Sequence, residues 1–122
     1  MSKKILIVDD EPDLLEMVQI SLETEGYECI VAYDGFRALD RARKEKPDLI
    51  ILDVMLPGLN GYKICRLLKF DEQYKHIPII MLTAEAQEKD RLVGEETGAD
   101  YYMTKPFAAD KLIAKVAEFL GK

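Results

Sequence analysis

Leu49-Ile50-Ile51-Leu52-Asp53-Val54-Met55-Leu56-Pro57-Gly58 is the stretch from which the rest of the chain can be read. Four apolar residues run straight into an aspartate, and a Pro-Gly turn follows within five residues. A short apolar run bounded by turn signals is the pattern of a strand buried on both faces. An acid at the exit of such a strand has no packing role. It is carried to the mouth of the sheet, where open α/β proteins place their ligands. Asp53 is therefore the first candidate functional residue.

Working outward, the same motif recurs. Ile5 to Val8 is a first apolar strand ending in Asp9-Asp10, and Pro12 then suits the first turn of a helix with Leu14, Leu15, Val18 and Leu22 on its inner face. Gly26 closes that helix as a left-handed cap. Glu28 to Ala32 reads as a second strand, turned by Asp34-Gly35. Phe36, Leu39 and Ala42 mark a second helix that stops before Pro47. Asp48 to Asp53 is the third strand. Asn60-Gly61 opens a third helix with Ile64, Cys65 and Leu68 inward, and a polar loop from Asp71 to His76 leads to a fourth strand, Ile77 to Thr83. Glu85 to Thr97 reads as a helix with few apolar residues, capped by Gly98 and expected to be the most loosely held element. Tyr101 to Thr104 is a fifth strand, broken by Lys105-Pro106. Leu112, Ile113, Val116, Ala117 and Leu120 give the last helix a firm core face. Five βα units without a hairpin signal imply a doubly wound, five-stranded parallel sheet with five helices on two faces. The flavodoxin-like order 2-1-3-4-5 suits a unit of this size.

Composition narrows the class. At 122 residues, with no repeat, low-complexity run or linker, the expectation is one domain over 1–122. Hydrophobic and charged fractions of 48% and 33% are those of an ordinary globular chain. A net charge of −6 without a Lys/Arg cluster argues against direct binding to nucleic acid or an anionic membrane. Cys29 and Cys65 form no CxxC, and His76 is the only histidine, so a zinc site is out of reach. Both cysteines read as reduced core residues, which suits a cytoplasmic setting. Ile5 to Val8 is too short for a signal peptide and is ended by acids. No apolar stretch approaches the length of a membrane span.

The chemistry lies at the strand ends. Strands one, three, four and five end in Asp9-Asp10, Asp53, Thr83 and Lys105, and in a parallel sheet of that order these ends share one edge. Two carboxylates about 5 Å apart repel by roughly 3 kcal/mol at an effective dielectric of about 20. Three need a raised pKa, a lysine or a divalent cation to coexist. All-oxygen donors with room for water favour Mg²⁺. A phosphoryl group placed there would be clamped by the metal, Lys105 and the Thr83 hydroxyl, with Asp53 attacking in line to become an acyl phosphate.

Asp9-Asp10-Glu11, Leu52-Asp53-Val54-Met55-Leu56-Pro57-Gly58, Met81-Leu82-Thr83-Ala84 and Gly98-Ala99-Asp100-Tyr101-Tyr102-Met103-Thr104-Lys105-Pro106-Phe107 together resemble the receiver domain of two-component response regulators, the CheY-like superfamily. The likeness covers essentially the whole chain. It implies that Asp53 is the phosphoacceptor and that Asp10 ligates Mg²⁺ directly and Asp9 through water. It adds the backbone carbonyl of Met55 as a further ligand, with Mn²⁺ able to substitute. Thr83 and Lys105 would hold the phosphoryl group, Tyr102 would be the aromatic switch, and Met55 and Glu85 would tune the dephosphorylation rate. The Lys105–Pro106 bond is cis in the family. The implied partners are a sensor histidine kinase or histidine phosphotransfer protein as donor, and an effector domain or protein reached through the face of the 85–97 helix, fifth strand and last helix. Phosphorylation-dependent homodimers through that face are common in the family. Such a domain is a switch that assists its own phosphorylation and dephosphorylation, not a turnover enzyme.

Singly, each residue has a plainer reading. Asp9 and Asp10 could be helix N-terminal acids, Asp53 a turn acid, Thr83 a strand residue, Lys105 a solvated lysine and Tyr102 core. Met17, Met55, Met81 and Met103 read as core or loop residues, and Glu95-Glu96 as helix surface. Two other functions share parts of the pattern. A phosphohydrolase of the haloacid dehalogenase type also forms an aspartyl phosphate, but its nucleophile ends strand one and a cap covers its substrate. A flavodoxin-like mononucleotide binder needs a Ser/Thr-rich loop where this chain has three acids.

Overall fold

The computed structural model describes residues 2–84 and 98–121. The expected helix over 85–97, its cap-side acids Glu95-Glu96 and Glu85 lie outside the described residues. Five strands, β1 (Lys4–Val8), β2 (Glu28–Ala32), β3 (Leu49–Asp53), β4 (Ile79–Ala84) and β5 (Tyr101–Lys105), form one parallel sheet in the order β2-β1-β3-β4-β5. Four helices are described: α1 (Pro12–Thr24), α2 (Gly35–Glu45), α3 (Gly61–Lys69) and α4 (Ala109–Leu120).

Strand periodicity splits the apolar residues into two cores. Leu6, Val8, Ile50, Leu52, Ile79 and Met81 face α2 and α3, while Ile5, Ile7, Leu49, Ile51, Ile80 and Leu82 face α1 and α4. With both faces covered, β3 is buried along its whole length, which is why it reads as an unbroken apolar run. The helices supply Leu15, Val18 and Leu22 from α1, Ile64, Cys65 and Leu68 from α3, and Leu112 and Val116 from α4. The Asp34 side chain caps α2 by accepting from the Arg37 amide at 2.8 Å, and Asn60 caps α3 by accepting from Lys63 at 3.0 Å. Among the described residues no helix is long and apolar enough to cross a membrane.

Several local expectations need correction. Phe36 does not face the core: it is 66% exposed, and its ring lies over Gly58. It sits in the first turn of α2, whose inner face is set instead by Ala38, Leu39 and Ala42. β4 starts at Ile79 rather than Ile77, because the Ile77 amide closes a turn onto Tyr74. Pro78 therefore precedes the strand, where its missing donor costs nothing, and its carbonyl accepts from Ile50. Tyr74, within the loop read as polar, is buried. β5 runs on to Lys105, paired with Ala84. Cys29 lies on the edge strand and is half-buried, while Cys65 is fully buried. Burial, followed by Glu23 and Glu28, pushes the Cys29 thiol up to about 12. Cations do gather on the outer face of α2, but Arg37, Arg41 and Lys44 are each paired with an acid, Asp34, Glu45 and Asp40.

Candidate functional site: an acidic pocket at the strand ends

The parallel order delivers β1, β3, β4 and β5 to one edge with their polar ends together. Asp9, Asp10 and Asp53 each place a carboxylate oxygen within 4.8 Å of the others. Lys105 reaches across from β5. Its Nζ lies 2.8 Å from Asp9 Oδ2, 3.2 Å from Asp53 Oδ1 and 3.6 Å from Glu11 Oε1. Asp9 is 1% exposed, and its other oxygen accepts from the Glu11 amide at 3.0 Å. Asp10, by contrast, is exposed.

Asp53 ends β3 beside Leu82 of β4 and is buried. Thr83, the next residue of β4, is buried too and pairs in register with Thr104. Met55 stands two residues beyond Asp53 with its side chain exposed. Tyr102 lies three residues before Lys105, half-buried against the core on the α2/α3 side. The Lys105–Pro106 peptide is cis.

Two close backbone approaches hold the loop after Asp53. A Cβ at Gly61 would lie 2.3 Å from the Asp53 carbonyl oxygen, so only glycine lets α3 begin there. The Gly61 amide donates to Val54 O at 2.9 Å. A Cβ at Gly35 would lie 1.8 Å from Leu59 O, and the Gly35 amide donates to Pro57 O at 3.1 Å. Both helix starts are thus seated on residues 54–59.

The electrostatics follow from this crowding. Burial first and the Asp9 charge second raise the Asp53 carboxyl, Lys105 only partly opposes them, and the net result is about 6. For Lys105, burial acts to lower the ammonium pKa. The hydrogen bond from Lys105 to Asp9 and the charges of Asp53 and Asp9 more than offset this, leaving it raised. One lysine against four nearby acids leaves the pocket negative, and its donors are all carboxylate oxygens. That set fits a hard divalent cation. Glu11, quoted in the Asp9-Asp10-Glu11 motif but given no role by the sequence, reaches the site through Lys105.

Fold and pocket together define a class: a doubly wound α/β domain with an acidic, lysine-bridged pocket at the ligand-binding edge of its sheet. The family model for the response regulator receiver domain matches residues 5–117. The alkaline phosphatase synthesis transcriptional regulatory protein PhoP of Bacillus subtilis is 50% identical over all of this chain and half of its own length. The DNA-binding response regulator MtrA of Mycolicibacterium smegmatis is 47% identical over 95% of this chain and 50% of its own. The chain thus spans about half the length of these curated relatives. The receiver domain of the sensor histidine kinase PA1611 from Pseudomonas aeruginosa, solved with a magnesium ion in its active-site cleft, superimposes with a TM-score of 0.90 at 31% identity over the whole of both chains. The chain belongs to the response regulator receiver domain family of two-component signalling.

Proposed function

We propose that residues 1–122 form a single receiver domain in which Asp53 accepts a phosphoryl group from the phosphohistidine of a sensor histidine kinase or phosphotransfer protein. The observation that carries the reading is the contact geometry of Asp53: an ammonium at 3.2 Å and two further carboxylates close enough to share one cation with it. Asp10 and Asp53 would ligate Mg²⁺, or Mn²⁺ in its place, with Asp9 acting through water and the Met55 carbonyl as a further donor. Bound there, the cation would neutralise charge on the pocket and on the transferring group. Asp53 attacks phosphorus, the P–N bond to the donor imidazole breaks, and an acyl phosphate forms. Lys105 would leave its 3.2 Å contact with Asp53 for a phosphoryl oxygen, and the Thr83 hydroxyl would donate to another. Drawing Thr83 toward the phosphate would let Tyr102 turn inward. That shifts the population of the face formed by the segment before β5, β5 and α4, through which an effector or a second copy is engaged. Met55 and Glu85 would set the rate of phosphoryl loss. The role is that of a cytoplasmic switch, without turnover of a diffusible substrate and without direct nucleic-acid binding by this domain.

The haloacid dehalogenase alternative finds no support, since the matched family and relatives are response regulators. The test is phosphorylation by acetyl phosphate with Mg²⁺, read by intact mass. The native protein should gain one phosphoryl group and the Asp53→Ala variant none. Undiminished labelling of that variant would refute the assignment, and steady hydrolysis of phosphomonoesters would restore the hydrolase.

A further inference from the structure

α3 carries a second stripe that the fold does not use. Its inner face is Ile64, Cys65 and Leu68, all buried. On the outer face Lys63, Arg66, Leu67 and Phe70 recur at i, i+3, i+4 and i+7, so they form one continuous row. Leu67 is 41% exposed and Phe70 70% exposed, and the row lines a groove of about 510 Å³ ending at Asp71. The Arg66 guanidinium lies 5.9 Å from the centre of the Phe70 ring. Neighbouring lysines are neutralised: Lys69 pairs with Asp100 and Lys75 with Glu72. Among the described residues Lys63 and Arg66 have no such acid. The one acid in the groove, Asp71, turns a carboxylate oxygen onto the Gln73 amide at 2.8 Å.

We infer that this row is a docking surface for an acidic amphipathic helix of a partner protein. Apolar side chains of such a helix would cover Leu67 and Phe70, and its flanking carboxylates would meet Lys63 and Arg66. The charge pattern decides between occupants. In a two-fold contact between copies of this chain, the same patch meets itself, so a row carrying two cations faces another of the same charge. A nucleic acid gains nothing from the two apolar residues and is repelled by a chain of net charge −6. The surface is independent of the phosphoacceptor reading. It is not remote from the acceptor, however, because the first residue of α3 is seated on the Asp53 carbonyl.

The probe is a fluorescein-labelled helical peptide with Leu at i, i+3, i+4 and i+7 and Glu on both flanks, compared with the same peptide carrying Lys flanks. The native protein should bind the Glu form and not the Lys form, with amide shifts confined to residues 61–71. Phe70→Ala and Arg66→Glu should each weaken binding about tenfold. The Lys63→Glu/Arg66→Glu pair should reverse the preference between peptides. Both changes are on exposed side chains, and unchanged amide shifts elsewhere report that the fold persists. Absence of binding, equal binding of the two peptides, or shifts centred elsewhere overturns the inference. Concentration-dependent self-association abolished by Phe70→Ala would also overturn it, in favour of a second copy.

Discussion

Replacing Asp53 by asparagine should stabilise the protein in the absence of divalent cations, and the gain should depend on pH. The Asp53 carboxyl is raised from an ordinary 3.8 to about 6, first by burial and then by Asp9. A carboxylate whose pKa is higher in the folded chain than in the unfolded one binds more protons when folded. Stability therefore falls as pH rises through that window, from about 4 to about 6, and the full penalty stands above it. At about 1.4 kcal/mol per pKa unit, holding Asp53 ionised at pH 7.5 costs on the order of 3 kcal/mol. The amide keeps the shape and removes the charge, and Lys105 still has Asp9 at 2.8 Å. Allowing for imperfect hydrogen bonding by the amide, a net gain of about 2 kcal/mol is expected. With an unfolding entropy of about 2 cal/mol/K per residue, this raises Tm by roughly 8 °C.

The assay is thermal unfolding followed by circular dichroism in EDTA, native against Asp53→Asn, at pH 7.5 and at pH 4.0. The difference should be near its maximum at the higher pH and close to zero at the lower. Mg²⁺ should raise the Tm of the native protein more than that of the variant, because it relieves repulsion the variant no longer has. A variant no more stable than native at pH 7.5, or equally stabilised at both pH values, would show that burial and Asp9 do not load the Asp53 carboxylate.

Lys105→Met should destabilise at pH 7.5 by about 3 kcal/mol, because Asp9 is left buried and short of its cation. Adding Asp53→Asn should recover part of that loss in a urea-denaturation double-mutant cycle, and simple additivity would contradict a shared pocket. Gly61→Ala should displace the loop after Asp53, since the new Cβ would start 2.3 Å from the Asp53 carbonyl oxygen. A stability loss of about 2 kcal/mol and slower labelling by acetyl phosphate are expected, measured by urea unfolding and intact mass. Lys69→Met should remove an ammonium that donates to Lys75 O, Ile77 O and Asp100 Oδ2. Hydrogen exchange should then speed up at Ile79 and Asp100, whose amides belong to the same cluster, while α1 is unchanged.

The sheet and the edge at which its chemistry gathers were legible because both rest on strand periodicity. A run such as Leu49-Ile50-Ile51-Leu52, bounded by turn signals, has the pattern of a strand covered on both sides, and parallel strands put Asp9, Asp53, Thr83 and Lys105 at the same end. What the sequence could not show depends on contacts between distant residues or on one turn of helix. Phe36 has the spacing of a core residue yet sits over Gly58, because the first turn of α2 overhangs the loop at 54–59. The Lys69–Asp100 link joins residues with no common motif. The outer row of α3 was hidden for a different reason. A stripe that mixes Lys63 and Arg66 with Leu67 and Phe70 has no hydrophobic period to detect, and only exposure separates it from the inner stripe.

The pocket also explains why its parts could not be read one by one. Each residue has an adequate plain role until its neighbours are placed. Asp53 becomes costly because it is buried and because Asp9 is buried beside it, and the Lys105 ammonium that answers both lies 2.8 Å from Asp9. Lys105 is in turn held to the acids, not to solvent, and the loop after Asp53 is pinned by helices whose first residues must be glycine. The strain is therefore electrostatic and concentrated on one carboxylate, beside a loop seated against two glycine helix starts. Charge added or removed at that point acts on the groups that crowd it. It must be met by a cation, by a proton, or by movement of the side chains on β4 and β5 that border the pocket, which is the property a phosphorylation switch requires.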